Sequence, residues 1–309
     1  MEACTEMTFI RFLDAQEHER IGVIHADRVY DVTGIVGRSI LQLVRDKRIN
    51  DIRFLNELSL SIQSITPYPF SASRLEKGEQ DFPIRLLLPF SPPEVWAVGV
   101  TYKKTAELHE EDVKASQGAK GIYDYVFRSE RPEIFFKALP QHCVGPLEPL
   151  GIRSDSSGTI VEAELAFVYD RDGQIVAYTA ANDVTAWDIE TECPLFLTQA
   201  KMFIGSCALG PGIVPAVHVP APDDLAVGCE VTRDGHVIFL GEGNTRNRKR
   251  SAEDLTRYLL LNNSISDGTV LCTGTAVGVP STQTIHNGDV VTISIDEIGI
   301  LRNQAHKLT

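Results

Sequence analysis

Apolar and polar positions alternate in short runs along most of the chain, and Gly, Pro, Asn and Asp break them. This pattern predicts many short strands and few helices. Near the start, "MTFIRFLD", "RIGVIHA" and "RVYDVT" read as three strands, punctuated by Gly22 and the "ADR" turn. "SILQLVRDKR" then sets Ile40, Leu41 and Val44 at helical spacing and ends in basic residues, as suits a helix C-terminus. "TPYPFSASRLEKGEQDFP" is rich in Pro, Ser and charge and reads as a linker or surface loop. It predicts a boundary near residues 85–90, with a small N-terminal α/β domain over 1–88 and a larger domain over 89–309.

The larger part is β-rich. "EVWAVGV", "EIFFKAL", "VEAELAFVY", "IVAYTAAND", "CEVTRDGHVIFLG", "DGTVLCTG" and "DVVTISIDEIGILRN" read as strands. "DRDG" (170–173) and "RDGH" (233–236) read as hairpin turns, and "GPG" (210–212) as a further turn rather than a phosphate cradle. Helices are predicted through "TYKKTAELHEEDVKASQ" and "KRSAEDLTRYLLLN", the second opening after an N-cap at Ser251. No internal repeat or low-complexity segment is present. The fold class is α+β, β-rich.

Composition narrows the partners. With 309 residues and 43% hydrophobic content the chain can bury a large core. A net charge of −13 argues against nucleic acid or an anionic membrane surface, and the basic "RNRKR" run (246–250) reads as a solvated segment leading into a helix. An anionic small molecule stays open, because a metal or a few cations can reverse the field in one cleft. The six cysteines show no C-x-x-C, the eight histidines show no ligand spacing, and no apolar run approaches the roughly 18 residues of a membrane span. The N-terminal "MEACTEMTFIRFLDAQ" lacks the pattern of a secretory signal, so the expected setting is a reducing cytoplasm with free thiols.

One stretch carries candidate chemistry. In "VEAELAFVY", Glu162 and Glu164 alternate with Val161, Ala163 and Leu165, so both carboxylates point to one side of a strand. A turn and a second strand then lead to Asp183 in "AAND", and two strands so joined can bring Asp183 beside the glutamates. Three converging carboxylates call for a divalent cation. All-oxygen ligation favours Mg²⁺, Mn²⁺ or Ca²⁺ over Zn²⁺. By spacing alone, however, an E-x-E strand is more often a solvated face.

The same stretch, followed by "VAYTAANDVTAWDIE", a downstream lysine, "TGTAVG" (273–278) and "HNGDVVTISIDEIGILRN", resembles the fumarylacetoacetate hydrolase superfamily over about residues 90–309. "VGVTYKK", "SERPEIFFKA", "CVGPLEPLGIRSDS", "CPLFLTQAKMF" and "GSCALGPGI" look like its 2-keto-3-deoxy-pentonate dehydratase branch, of D-arabinonate or D-xylonate type. The resemblance implies a mixed β-sandwich roll behind the small N-terminal domain. It also implies a homodimer or homotetramer, Mg²⁺ on Glu162, Glu164 and Asp183, and a 2-oxo acid substrate. Lys201 matches the family's site lysine, and Glu190 is the candidate for proton transfer. Lys137 is a second cation for the substrate. Thr275 is a candidate for the substrate carboxylate, and Ser154 and Ser156 for its hydroxyls.

Two departures bear on the reaction. Hydrolases of the superfamily carry a His and a Glu on a lid segment, where this chain has Thr105 and Leu108. Without that pair, water activation loses its usual base, which favours dehydration. The Arg that normally faces the site is Trp187, which offers one N–H and a large apolar face to substrate or core. A C–C bond hydrolase or decarboxylase of acylpyruvates or diketo acids is the second reading. An inactive binder of a metal and a 2-oxo acid is the third. A closing lid in "EEDVKASQGAKGIYDY", with Gly118 and Gly121 permitting motion, is expected from the resemblance.

Overall fold

The computed structural model describes residues 7–69, 83–113 and 121–309. Cys4, Gly118 and most of the expected linker therefore lie outside the described residues. The strands in chain order are β1 (Thr8–Leu13), β2 (Glu19–His25), β3 (Arg28–Asp31), β4 (Tyr68–Pro69), β5 (Arg85–Leu87), β6 (Val95–Gly99) and β7 (Glu133–Ala138). They continue with β8 (Cys143–Val144), β9 (Leu150–Ile152), β10 (Thr159–Ile160), β11 (Ala163–Tyr169), β12 (Ile175–Asp183), β13 (Thr185–Ala186) and β14 (Cys207–Pro215). The last are β15 (Ala226–Arg233), β16 (His236–Asn244), β17 (Thr269–Cys272), β18 (Val290–Ile295) and β19 (Gly299–Lys307). The helices used below are α1 (Thr33–Val36), α2 (Ile40–Arg45), α3 (Ile52–Ile62), α4 (Lys103–Val113), α5 (Ile122–Arg128), α6 (Trp187–Glu192), α7 (Leu197–Lys201) and α8 (Ala252–Leu260).

Two sheets dominate. The larger runs β4-β3-β2-β1-β14-β12-β11-β17-β6-β7, and the smaller runs β16-β15-β18-β19-β9. The expected turns at 170–173 and 234–235 join β11 to β12 and β15 to β16. Every residue of β11 is buried, because the strand is covered on both faces. Leu165, Phe167 and Tyr169 face the core between the sheets, with Tyr178, Val231, Ile293 and Leu301. Ala166 and Val168 face a second core, built with Leu43, Leu55 and Leu58 of the N-terminal helices. The acidic residues Glu162 and Glu164 fall on this second face.

The N-terminal unit joins the large sheet directly. Strand β1 pairs with β2 on one side and meets β14 at Phe9 and Ile213 on the other. One apolar core thus runs from Phe9 and Val23 to Leu209 and Cys272. Helix α3, unmarked in the sequence reading, is capped by Asp51, whose side chain accepts from the Arg53 N–H. It buries Phe54, Leu55, Leu58 and Ile62 along one stripe. "GPG" is a correction: it lies inside the nine-residue strand β14, not in a turn. The register shift opposite it, between Tyr178 and Ala180, absorbs the irregularity, and the Thr179 hydroxyl donates to the Gly212 carbonyl at 2.8 Å. No helix among the described residues is long and apolar enough to cross a membrane.

Candidate active site

Hairpin register assembles the acids. Glu164 lies opposite Ala181 and Ala163 opposite Asn182, so Glu162 meets Asp183 at the hairpin's open end. There the Asp183 N–H donates to the Glu162 carbonyl at 3.1 Å. Strand alternation turns all three carboxylates to one face. One ligand oxygen from each lies within 4.8 Å of the others, and all three side chains are buried.

Two lysines come from outside the hairpin. The Lys201 ammonium, at the end of α7, donates to Glu162 Oε1 and Thr185 Oγ1, both at 2.7 Å, and lies 3.4 Å from Asp183 Oδ2. Burial works against its charge, but Asp183, Glu162 and Glu190 together hold its pKa well above the ordinary value. Lys137 is the extra residue of a β-bulge in β7, opposite the Val95–Trp96 step. Its Nζ is fully buried, 2.6 Å from Asp183 Oδ1, and donates to the Val184 and Lys201 carbonyls at 2.9 and 2.6 Å. Read from the sequence as a substrate contact, it has three partners inside the protein, and it orients Asp183.

Glu164 forms no ion pair among the described residues; one oxygen accepts from the Gly274 N–H at 2.7 Å. Burial, then the charges of Asp183 and Glu162, push its pKa well up, and the Gly274 bond offsets only part of this. A carboxylate so placed needs a cation. The donor set of three carboxylates fits a hard, oxygen-seeking divalent ion such as Mg²⁺. Gly274, in the T-G-T run, has φ +95°, and a Cβ there would stand 1.8 Å from Thr101 Oγ1. Gly274→Ala is expected to cost roughly 1–3 kcal/mol of stability through this strain and to weaken metal binding by moving the N–H from Glu164. Thermal melts with and without Mg²⁺ would check both effects.

A cavity opens beside the triad, lined by Glu162, Lys201, Glu133, Glu190, Tyr123, His109 and Thr275 among others. The Glu190 pKa is pushed up to about 7, first by burial and further by Glu162 and Glu133, with Lys201 and the Tyr123 bond pulling the other way. Glu133 is raised as well, mainly by burial. The sequence reading passed over Glu133, although it shares a strand face with Phe135, whose ring lies 5.4 Å from Lys201 Nζ. Its carboxylate fits there because its neighbour Gly99 has no side chain: a Cβ would lie 2.2 Å from Glu133 Oε2.

The remaining expected residues are placed as follows. Thr275 is buried in the cavity wall, its hydroxyl donating to the Val277 carbonyl at 2.8 Å. Ser156 donates to Asp188 Oδ1 at 2.7 Å and Ser154 is exposed; neither is in the cavity lining. Trp187 is buried against His109, with ring centroids 4.5 Å apart, and against Tyr123 at 5.9 Å. Thr105 donates to the Thr275 carbonyl at 3.1 Å, and the Leu108 side chain reaches Gly278. Neither supplies a base. His109, in the next helical turn after Thr105, does reach the cavity.

Comparison with known proteins bears on the same residues. The chain is 42% identical over 227 residues to the 2-dehydro-3-deoxy-D-arabinonate dehydratase of Saccharolobus solfataricus, covering 74% of this chain and 76% of that one. It is 37% identical over 216 residues to the probable 2-keto-3-deoxyxylonate dehydratase of Haloferax volcanii, covering 70% and 73%. A solved 2-keto-3-deoxy-D-arabinonate dehydratase, complexed with magnesium and 2,5-dioxopentanoate, superposes with a TM-score of 0.79 at 32% identity, over 98% of this chain and 99% of that one. Its apo form gives a TM-score of 0.80. Residues 94–306, which hold every acid and both lysines of the site, match the family described as Fumarylacetoacetate (FAA) hydrolase C-terminal. By these matches, and by the β-rich fold expected from its motifs, the chain belongs to the fumarylacetoacetate hydrolase family.

Proposed function

We propose that this protein is a Mg²⁺-dependent dehydratase that converts a 2-keto-3-deoxy sugar acid of pentonate type to a 2-oxo acid semialdehyde. The supporting observation is the buried triad Glu162, Glu164 and Asp183 beside a cavity holding Lys201 and two carboxyls of raised pKa, Glu133 and Glu190. The solved relative with magnesium and 2,5-dioxopentanoate supports the same reading. The divalent cation, held by the three carboxylates, supplies a Lewis acid that makes the C3 protons of a 2-oxo acid more acidic.

This chain's residues handle the rest. The reaction takes a proton from C3, and the C4 hydroxyl leaves with a proton as water. The C3–C4 double bond then shifts as a proton leaves C5 and one returns to C3. The C5 enol finally takes a proton at C4 and becomes the aldehyde. Each stage needs one group to accept a proton and another to give one. Lys201, which lines the cavity, is proposed to hold the 2-oxo acid's negative charge. Burial raises both carboxyls and the Glu133 charge further raises Glu190, so one of the pair can hold a proton while the other is ionised, giving one acid and one base. We also take the protein to act in the cytoplasm as a homodimer or homotetramer, with residues 1–88 as a supporting domain.

Two outcomes test this. Mass spectrometry should show chelator-sensitive loss of water from a 2-keto-3-deoxy-pentonate; chelator-sensitive cleavage of an acylpyruvate instead would establish the hydrolase reading, and survival of every substrate the binder reading. Turnover should also peak near neutral pH. Below the peak both carboxyls are protonated and no base remains; above it both are ionised and no acid remains. Glu190→Gln should remove one limb. An unchanged profile in that variant would exclude Glu190 from proton transfer.

A further inference from the structure

The reading of Glu190 as a proton carrier raises the question of what aims it. Its Oε1 accepts from the Tyr123 hydroxyl at 3.0 Å. Its Oε2 is buried without a hydrogen bond among the described residues, 3.8 Å from Lys201 Nζ. The two oxygens are thus inequivalent: one is tied to α5, and the other, on a residue that lines the cavity, accepts no hydrogen bond from the described residues. Trp187 and Glu190 lie three residues apart on α6, hence on one face. Tyr123 touches both, with its ring beside the indole and its hydroxyl on the carboxylate. His109 of α4 packs against both rings.

We propose that Tyr123 is a positioning residue, whose hydroxyl holds Glu190 Oε1 so that Oε2 alone exchanges protons with the substrate. The aromatic trio seats the tyrosine. Trp187 supplies the flat wall against which the Tyr123 ring fixes its angle. The role rests on the proposed function through Glu190, and the test separates the two. The charged and titratable groups facing Glu190 are Lys201 from α7, Glu162 from the strand entry, Glu133 from β7 and Tyr123 from α5. Among these, Tyr123 is the one whose hydroxyl can be removed while its ring stays.

The experiment compares Tyr123→Phe with Glu190→Gln, in full-length protein with Mg²⁺ and a 2-keto-3-deoxy-pentonate, and determines the crystal structure of Tyr123→Phe. The expected result is a kcat lowered about 10- to 100-fold with KM within about threefold, as when proton transfer is impaired and substrate binding is not. The Glu190 limb of the pH profile should also move to higher pH, because the lost bond favoured the ionised carboxylate. In the crystal the Glu190 carboxyl should leave its rotamer while the aromatic rings stay stacked. A purely structural tyrosine would move neither the limb nor the rotamer. If Glu190→Gln is inactive while Tyr123→Phe keeps its kcat, its pH profile and the Glu190 rotamer, the positioning role is overturned and the proposed function stands. If Glu190→Gln turns over normally, the proton-carrier reading falls and takes this role with it.

Discussion

Glu164→Gln is expected to abolish turnover, lowering it by about a thousandfold or more, while making the metal-free protein more stable. The two effects share one cause. Glu164 is a buried carboxylate facing two others, and the Gly274 N–H and the Lys201 charge offset only part of the repulsion. With a divalent cation between the three, that charge is useful; without one, it is a burden on the fold. Glutamine keeps the shape and can still accept from the Gly274 N–H, but it removes the like-charge repulsion and one anionic ligand. Melting in chelator should therefore rise by a few degrees, at roughly 2–4 °C per kcal/mol for a domain of this size. The further rise on adding Mg²⁺ should shrink sharply, since ligand stabilisation follows affinity for the native state.

The pH dependence has a definite sign. Because the folded carboxyl of Glu164 binds its proton more tightly than the unfolded chain does, the metal-free protein loses stability as pH rises above 4.5, the ordinary value. In Glu164→Gln this contribution should vanish. Melts across pH in chelator, with Mg²⁺ titration calorimetry, would show it. If Glu164→Gln binds Mg²⁺ and turns over like the parent, the metal site is misassigned.

Lys137→Met should act on the fold before it acts on chemistry. The fully buried Nζ serves Asp183 and two carbonyls, and so ties the end of β12 to α7. Methionine fills the space with no donor, leaving Asp183 Oδ1 and two carbonyls without their partner while Lys201 still reaches Asp183 Oδ2. Removing one partner of a buried ion pair costs about 3–5 kcal/mol. The melting midpoint should fall by 10 °C or so on the same size scaling. Added Mg²⁺ should recover part of the loss, because it restores positive charge at Asp183 but not the carbonyl bonds. The double variant Lys137→Met/Asp183→Asn should be less unstable than the two single losses added together. A midpoint within 2 °C or so of the parent would show that Lys137 is dispensable to the fold.

The metal triad was legible before any coordinates. A two-residue period aims Glu162 and Glu164 to one side, and the "DRDG" turn sets the register that brings Asp183 beside them. These relations are local, spanning about twenty residues joined by one hairpin, so strand geometry allows the three acids to converge, while the likeness to the family, not the spacing, pointed to a metal. Most of the longer strands of both sheets were readable for the same reason, but β14 was missed because glycine and proline mark turns more often than irregular central strands.

Only the tertiary structure decided the rest. Glu133 becomes a site residue because β7 lies at the end of the sheet that carries the triad, with Gly99 leaving it room. Lys137, expected at the substrate, is buried against Asp183 because a bulge re-aims it. Glu190 receives the Tyr123 hydroxyl from 67 residues away, and the raised pKa of Glu190 follows from burial among groups on separate elements. Sequence alone determined most of the strands and the convergence of the three acids, since periodicity and turn chemistry act over short separations, and its motifs carried the likeness to the family. The charge balance and the acid–base pair depend on which distant elements exclude water together, and chain folding decides that.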